Sequence, residues 1–331
     1  KNLVIYDNLK KNIYFIENIY AENKIQNYFE KYQAIQRNFE TYEDYSNIKL
    51  PIKFTYEKNK NKIKSNISKN QFKNCVKKAK NHIAKGDIFQ VVLSQRFERK
   101  INKTPLEIYN YLRLSNPSPF MFYFNFEDFK IIGSSPEILV RLRDNQITIR
   151  PIAGTRPRGT TKAQDSKYAK ELLKDKKELA EHLMLLDLGR NDVGKVSKIN
   201  SVKVTESFTI EKYSHVMHIV SNVVGEFDRK NSIFETLLSG FPAGTVSGAP
   251  KIRAMEIIDD LEKNKRKLYA GGIGYFTPSK EFDTCITLRT ALIKNNKFYV
   301  QSGAGIVADS VPEKEYQETV NKAKALMSAV D

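Results

Sequence analysis

Two pairs of glutamates carry the first chemical signal in this chain. Glu178 and Glu181 stand three residues apart, and Glu315 and Glu318 repeat that spacing near the C-terminus. On helices, each pair shares one face. Oxygen-only donors from two helices would suit a Mg²⁺ ion that keeps several waters and also takes a substrate carboxylate. Solvated charge on exposed helix faces explains the same spacing, and spacing alone does not decide. In Ser214-His-Val-Met-His218, His215 and His218 read as adjacent turns of a helix. Without a cysteine or a third ligand they are poor evidence for zinc, and a packed or capping role accounts for them. The stretch Phe241-Pro-Ala-Gly-Thr-Val-Ser-Gly-Ala-Pro-Lys251 reads as a loop carrying hydroxyls and small residues into the helix-period run Ile252–Leu261. Free N–H groups and hydroxyls at a helix N-terminus favour an anion.

The elements that must position these residues follow from periodicity. Leu3–Tyr6 and Asn12–Ile16 predict a hairpin, residues 21–48 a polar helix, and 50–66 a Lys/Asn-rich connector. Ser68 and Gln71 predict a capping box opening a helix that runs to Lys85, stopped by Gly86. Strands are expected at 88–97, 119–126, 129–134, 137–143, 146–152, 201–211, 270–277, 282–293 and 297–303. Helices are expected at 105–115, 164–188, 214–224 and from Pro312 to Ser328. The fold class is α+β: one large unit with β-sheets packed between outer helices. The expected division is a partial N-terminal region, 1–66, and a catalytic domain, 67–331.

Bulk composition narrows the class. The chain has 331 residues, 40% hydrophobic, and no apolar run near the roughly 20 residues that a membrane span needs. Cys75 and Cys285 lack metal-ligand spacing and read as free thiols of a reducing cytoplasm. A net charge of +17 is spread among Asn, Ile and Glu, a compositional bias rather than a nucleic-acid patch. Such a field would draw a polyanionic small substrate inward. Lys1 in place of Met reads as a processed or truncated start.

Taken together, the segments resemble the chorismate-utilising enzymes. The motifs are Pro242–Lys251, Glu181-His…Asp187-Leu-Gly-Arg-Asn-Asp192, Ser214–His218, Gly271-Gly-Ile-Gly-Tyr275, Gly303-Ala-Gly305 and Glu315-x-x-Glu318. The likeness runs from about residue 68 to the C-terminus and is weaker before it. It implies Mg²⁺ held by Glu181 and Glu318, with Glu178 and Glu315 reaching it through water. It implies a substrate pocket of Gly154, Thr155, Thr245, Tyr269, Arg289, Gly303, Ala304, Gly305 and Lys322. Glu137 in Ser134-Ser-Pro-Glu137 is the implied acid, and His218 the implied aid to elimination.

Two positions separate the branches of that family. Ring-hydroxylating members carry a lysine base before Val-Val-Leu, where this chain has Gln90. Members that form a covalent lysine adduct carry it where this chain has Ala153. Gln90 with Ala153 resembles the anthranilate synthase large subunits, implying direct attack by ammonia from a glutamine amidotransferase partner. Aminodeoxychorismate synthase and a non-catalytic fragment are the rival readings. Pro119-Phe-Met121 matches half of that branch's tryptophan feedback site, whose other half belongs to an N-terminal part of the family fold expected to be missing here.

Overall fold

The computed structural model describes residues 2–17, 29–38, 61–213 and 216–331. The chain divides into two compact units, Lys1–Thr55 and Tyr56–Asp331. In the first, β1 (Asn2–Asp7) and β2 (Asn12–Glu17) form the expected antiparallel hairpin. Residues 29–38 are helical; the rest of the helix expected over 21–48 lies outside the described residues.

The second unit holds two seven-stranded antiparallel sheets. One contains β7 (Ile138–Arg143), β8 (Gln146–Ile149), β9 (Ile152–Pro157), β10 (Lys203–Lys212), β11 (Val216–Glu226), β13 (Gly272–Phe276) and β14 (Phe282–Ile286). Its order is β10-β11-β8-β7-β14-β13, with β9 also on β11. The other contains β3 (Lys64–Ser65), β4 (Gln90–Lys100), β5 (Phe120–Asn125), β6 (Lys130–Ser135), β12 (Gly248–Ala249), β15 (Thr290–Lys294) and β16 (Lys297–Ile306). Its order is β12-β4-β16-β15-β6-β5, with β3 on β4.

Helices cover one face of each sheet. In α1 (Lys69–Ala84), the Ser68 hydroxyl accepts from the Gln71 amide and the Gln71 side chain from the Ser68 amide. Phe72, Val76 and Ala79 of α1 meet Ala254 and Ile257 of α6 (Lys251–Leu261) over β4 and β16. On the same sheet, α2 (Pro105–Ser115) and α7 (Pro312–Met327) bury Ile108, Leu112 and Leu326 against Phe97, Phe298 and Val300. Phe298, Val300, Ala304 and Ile306 belong to these outer cores. Strand alternation therefore turns Tyr299, Gln301, Gly303 and Gly305 to the inner face. On the first sheet, α4 (Lys176–Gly194) buries Leu186 and Val193 against Val223 and Ile149. Also there are α3 (Lys162–Leu172) and α5 (Ile233–Gly240).

Several expectations need correction. The helix expected at 214–224 is, from Val216 onward, strand β11, so His218 is a strand residue; His215 lies outside the described residues. Val216, Ile219, Val220, Val223 and Val224 are β-branched and suit a pleated surface. A strand flanked on both sides and buried on both faces loses the period-2 signal. The helix expected at 164–188 is two helices. Asp175 breaks it by accepting from the Lys177 and Glu178 amides, an N-cap for α4. The strand expected at 282–293 splits around Thr287–Arg289, where Arg289 has φ of +45°.

Candidate active site

The candidate residues converge between the inner face of the second sheet and the α4 side of the first. Gln90, at the start of β4, is buried and donates from Nε2 to Glu181 Oε1 at 2.9 Å. Gly305 faces this pair: a Cβ there would sit 2.6 Å from Gln90 Nε2. In the motif loop Phe241–Lys251, a short stretch of strand separates the turn from the helix. The loop's core is a short 3₁₀ turn, Gly244–Val246, followed by β12, which pairs with Val91 and Gln90. The α6 N-terminus begins after Pro250 without a side-chain cap. Gly248 has φ of +141°, and a Cβ there would lie 2.2 Å from the Gln90 carbonyl oxygen. Only glycine allows that approach. Lys251 then anchors the loop to buried Asp192 at the end of α4, at 2.9 Å.

The two glutamate pairs meet. Burial raises the Glu181 pKa, and the charges of Glu178 and Glu318 push it further; the Gln90 bond and Lys322 oppose this. Glu315, also buried, is raised first by desolvation and then by Glu318. Glu318 pairs with Lys322 at 2.7 Å, and Glu178 with Arg156 at 3.3 Å. Among the described residues, no group of three or more His, Cys, Asp or Glu side chains is assembled to hold a metal ion. The donor set is nonetheless all carboxylate, and its mutual repulsion is what a dication would relieve. Among the described residues, the hydrogen-bond partner of Glu181 is the Gln90 amide.

Glu137, just before β7, is the most perturbed acid. Burial pushes its pKa up to about 8, against the pull of Thr245, Lys322 and Arg289. Thr245 Oγ1 is buried there without a partner in full hydrogen-bonding geometry. Arg289 is itself lowered by desolvation. Such a carboxyl holds its proton near neutral pH.

On the opposite wall, His218 Nδ1 lies 2.8 Å from the Gly154 carbonyl oxygen and 3.1 Å from Thr155 Oγ1. A carbonyl only accepts, so Nδ1 carries the hydrogen and Nε2 keeps its lone pair. Burial lowers the His218 pKa, with Arg289 and Lys322 adding to the effect. Gly154 has φ of +67°, and its missing Cβ would sit 3.1 Å from Glu178 Oε2. Tyr269 is buried, its pKa pushed up to about 12 by desolvation, and its hydroxyl would lie 2.7 Å from a Cβ on Gly303. Lys322 Nζ donates to the Gly303 carbonyl at 3.1 Å.

Four candidates fall outside this convergence. The side chain of Ala304 turns into the outer core with Phe72 and Leu93, leaving only its backbone for the pocket. Phe120 and Met121 pair with Ser135 and Ser134 on the edge strand β5, where Met121 packs against the outer core; Pro119 precedes them. Sequence reasoning missed Tyr213, whose ring meets His218 edge-on at 5.5 Å and whose hydroxyl donates to Glu211. It also missed the Arg156 bridge to Asp175 and Glu178. No spacing signal marks either. His182, within the Glu181-His motif, is structural. It is fully buried against Ser221 at 2.6 Å, and desolvation lowers its pKa to about 4.

The family described as chorismate binding enzyme matches residues 1–328, so the likeness reaches well before residue 68. Anthranilate synthase component 1 of Cereibacter sphaeroides is 60% identical over 269 residues, covering 81% of this chain and 54% of that protein. That of Aquifex aeolicus is 50% identical over 330 residues, covering 99% of this chain and 67% of that protein. The chain thus spans only part of its relatives' length. The crystal structure of anthranilate synthase component I from Streptococcus pneumoniae superimposes with a TM-score of 0.86 at 40% identity, over 98% of this chain and 71% of that one. The menaquinone-specific isochorismate synthase MenF of Escherichia coli, at 24% identity and TM-score 0.74, shares the fold, over 82% of this chain and 63% of its own. With the family matched along nearly its whole length and the motifs gathered at one site, this chain belongs to the chorismate binding enzyme family.

Proposed function

We propose that the chain is the catalytic part of an anthranilate synthase component I, converting chorismate and ammonia to anthranilate, pyruvate and water. One observation carries the choice of reaction: Gln90, the group beside Glu181, is an amide. An amide cannot deprotonate water, so ring hydroxylation lacks its base. Ala153 likewise offers no amine for a covalent adduct.

Ammonia forms a bond to ring C2 while the C4–O bond breaks. Glu137, protonated near neutral pH, delivers its proton to the departing hydroxyl, which leaves as water. The ring then loses its C2 proton and the C3–O bond to the enolpyruvyl group, which departs and becomes pyruvate as the ring turns aromatic. His218 Nε2 is the base oriented for that proton, its ring fixed by the Gly154 carbonyl. Arg289 is suited to the enolpyruvyl carboxylate, since a guanidinium binds a carboxylate with two parallel bonds. Tyr269 and the Gly303–Gly305 backbone close that side; Gly154, Thr155 and Thr245 line the ring side. Mg²⁺ on Glu181 and Glu318, with Glu178 and Glu315 reaching it through water, would supply Lewis-acid pull on the ring carboxylate. Glu318 would exchange its Lys322 partner for the ion.

Ammonia is expected from a glutamine amidotransferase subunit. Cys285 is buried with its pKa pushed up to about 11, and Cys75 is also raised by burial. Neither is a ready thiolate for hydrolysing glutamine. Cytoplasmic placement fits the absence, among the described residues, of any helix long and apolar enough to cross a membrane. The test is incubation with chorismate, Mg²⁺ and ammonium at alkaline pH. Blue anthranilate fluorescence with equimolar pyruvate supports the proposal; aminodeoxychorismate without pyruvate overturns it.

A further inference from the structure

We propose that a second cavity, behind Tyr269, binds a small carboxylate with an apolar body. The cavity measures about 290 Å³ and is lined from β4, β15, β16 and the segment 266–269. That size sits at the small end of ligand pockets. It continues the inner face of the second sheet past Gly303, where Tyr299 and Gln301 follow in alternation.

Its chemistry is one-sided. Arg96, Lys267 and Lys294 line it, with no acidic residue among the lining side chains. The fourth cation, Arg266, is already engaged: it pairs with Glu262 at 2.7 Å and stacks on Tyr269 at 5.4 Å. Arg96, Lys267 and Lys294 form no ion pair among the described residues, and their field favours an anion. Thr287 and Thr290 add neutral side chains to the lining. Leu268, Leu292 and Tyr299 make the remaining walls apolar, so an organic acid suits the space better than inorganic phosphate. Tyr269 lines this cavity while its hydroxyl points at Gly303, so one ring separates the second site from the reaction pocket.

The test is titration of the full chain with 4-fluorobenzoate, followed by ¹⁹F NMR, with inorganic phosphate as competitor. Leu292→Trp fills the cavity and should abolish the bound signal. Lys294→Ala, at an exposed position that tolerates substitution, should weaken binding several-fold, and Arg96→Ala/Lys294→Ala by about tenfold or more. Arg289→Ala, which strips the reaction pocket of its guanidinium, should leave this signal intact. That arm keeps the result separate from the proposed activity. Absence of a bound signal, binding indifferent to Leu292→Trp and Lys294→Ala, binding lost only in Arg289→Ala, or phosphate displacing the ligand as well as benzoate does, would each overturn the proposal.

Discussion

In the proposed reaction, Glu137 concentrates the chemistry in one titration. Its carboxyl must be protonated to act as an acid, and its pKa stands at about 8. At fixed free ammonia, kcat should therefore be flat below that value and fall as pH rises through it. Glu137→Gln should lower kcat by about 10²-fold or more, since an amide cannot donate the proton. Stability should move the other way. A folded-state pKa above the unfolded value means the folded chain holds a proton that the unfolded chain has lost. The contribution is fully present below the ordinary carboxylate range and is lost as pH rises through about 8. Glu137→Gln should thus raise the melting temperature relative to the parent more at pH 8.5 than at pH 5. Equal shifts at both pH values would remove the perturbed carboxyl from the account. Glu181→Gln should depress turnover with ammonium by about 10²-fold or more, while near-normal rates would take Glu181 out of the site.

At the scale of elements, the site depends on one tight contact between a loop and a strand. β12 lies against β4 because Gly248 lets the chain pass close to the Gln90 carbonyl. Gly248→Ala should cost about 2 kcal/mol from backbone strain and contact, seen as a lower denaturant midpoint. It should also displace Gln90 and reduce kcat. An unchanged midpoint would show that the contact relaxes freely. Much of this level was legible beforehand. Ser68 and Gln71 announced α1 by side-chain chemistry acting within three residues, and local signals of that kind survive folding. The β11 segment was not legible as a strand. Its fate is decided by β10, β8 and β9 on its flanks, and long-range pairing leaves no local period. Asp175 looked like a helix interior residue because capping and interior roles differ only in the backbone that follows.

For the whole molecule, the glutamate pairs were legible by spacing, but their meeting was not. It requires α4 on one sheet and α7 on the other to present their faces to the same space, where Glu318 acts on Glu181. Ala304 shows the converse, since strand alternation sends its side chain into the outer core while Gly303 and Gly305 turn to the inner face. At this scale the proposed reading has the chain supply the ring chemistry without a thiolate of its own, since burial raises the pKa of both cysteines. Turnover by the isolated protein should proceed with ammonium and not with glutamine. Activity with glutamine alone would mean that a nucleophile has been overlooked.

The most direct test of the central claim is the product formed from chorismate and [¹⁵N]ammonium with Mg²⁺, in the absence of any partner subunit. The account predicts anthranilate carrying the heavy nitrogen, with one pyruvate released per ring. Isochorismate, or an aminated ring that keeps its enolpyruvyl group, would contradict the roles assigned here to Gln90, Ala153 and His218.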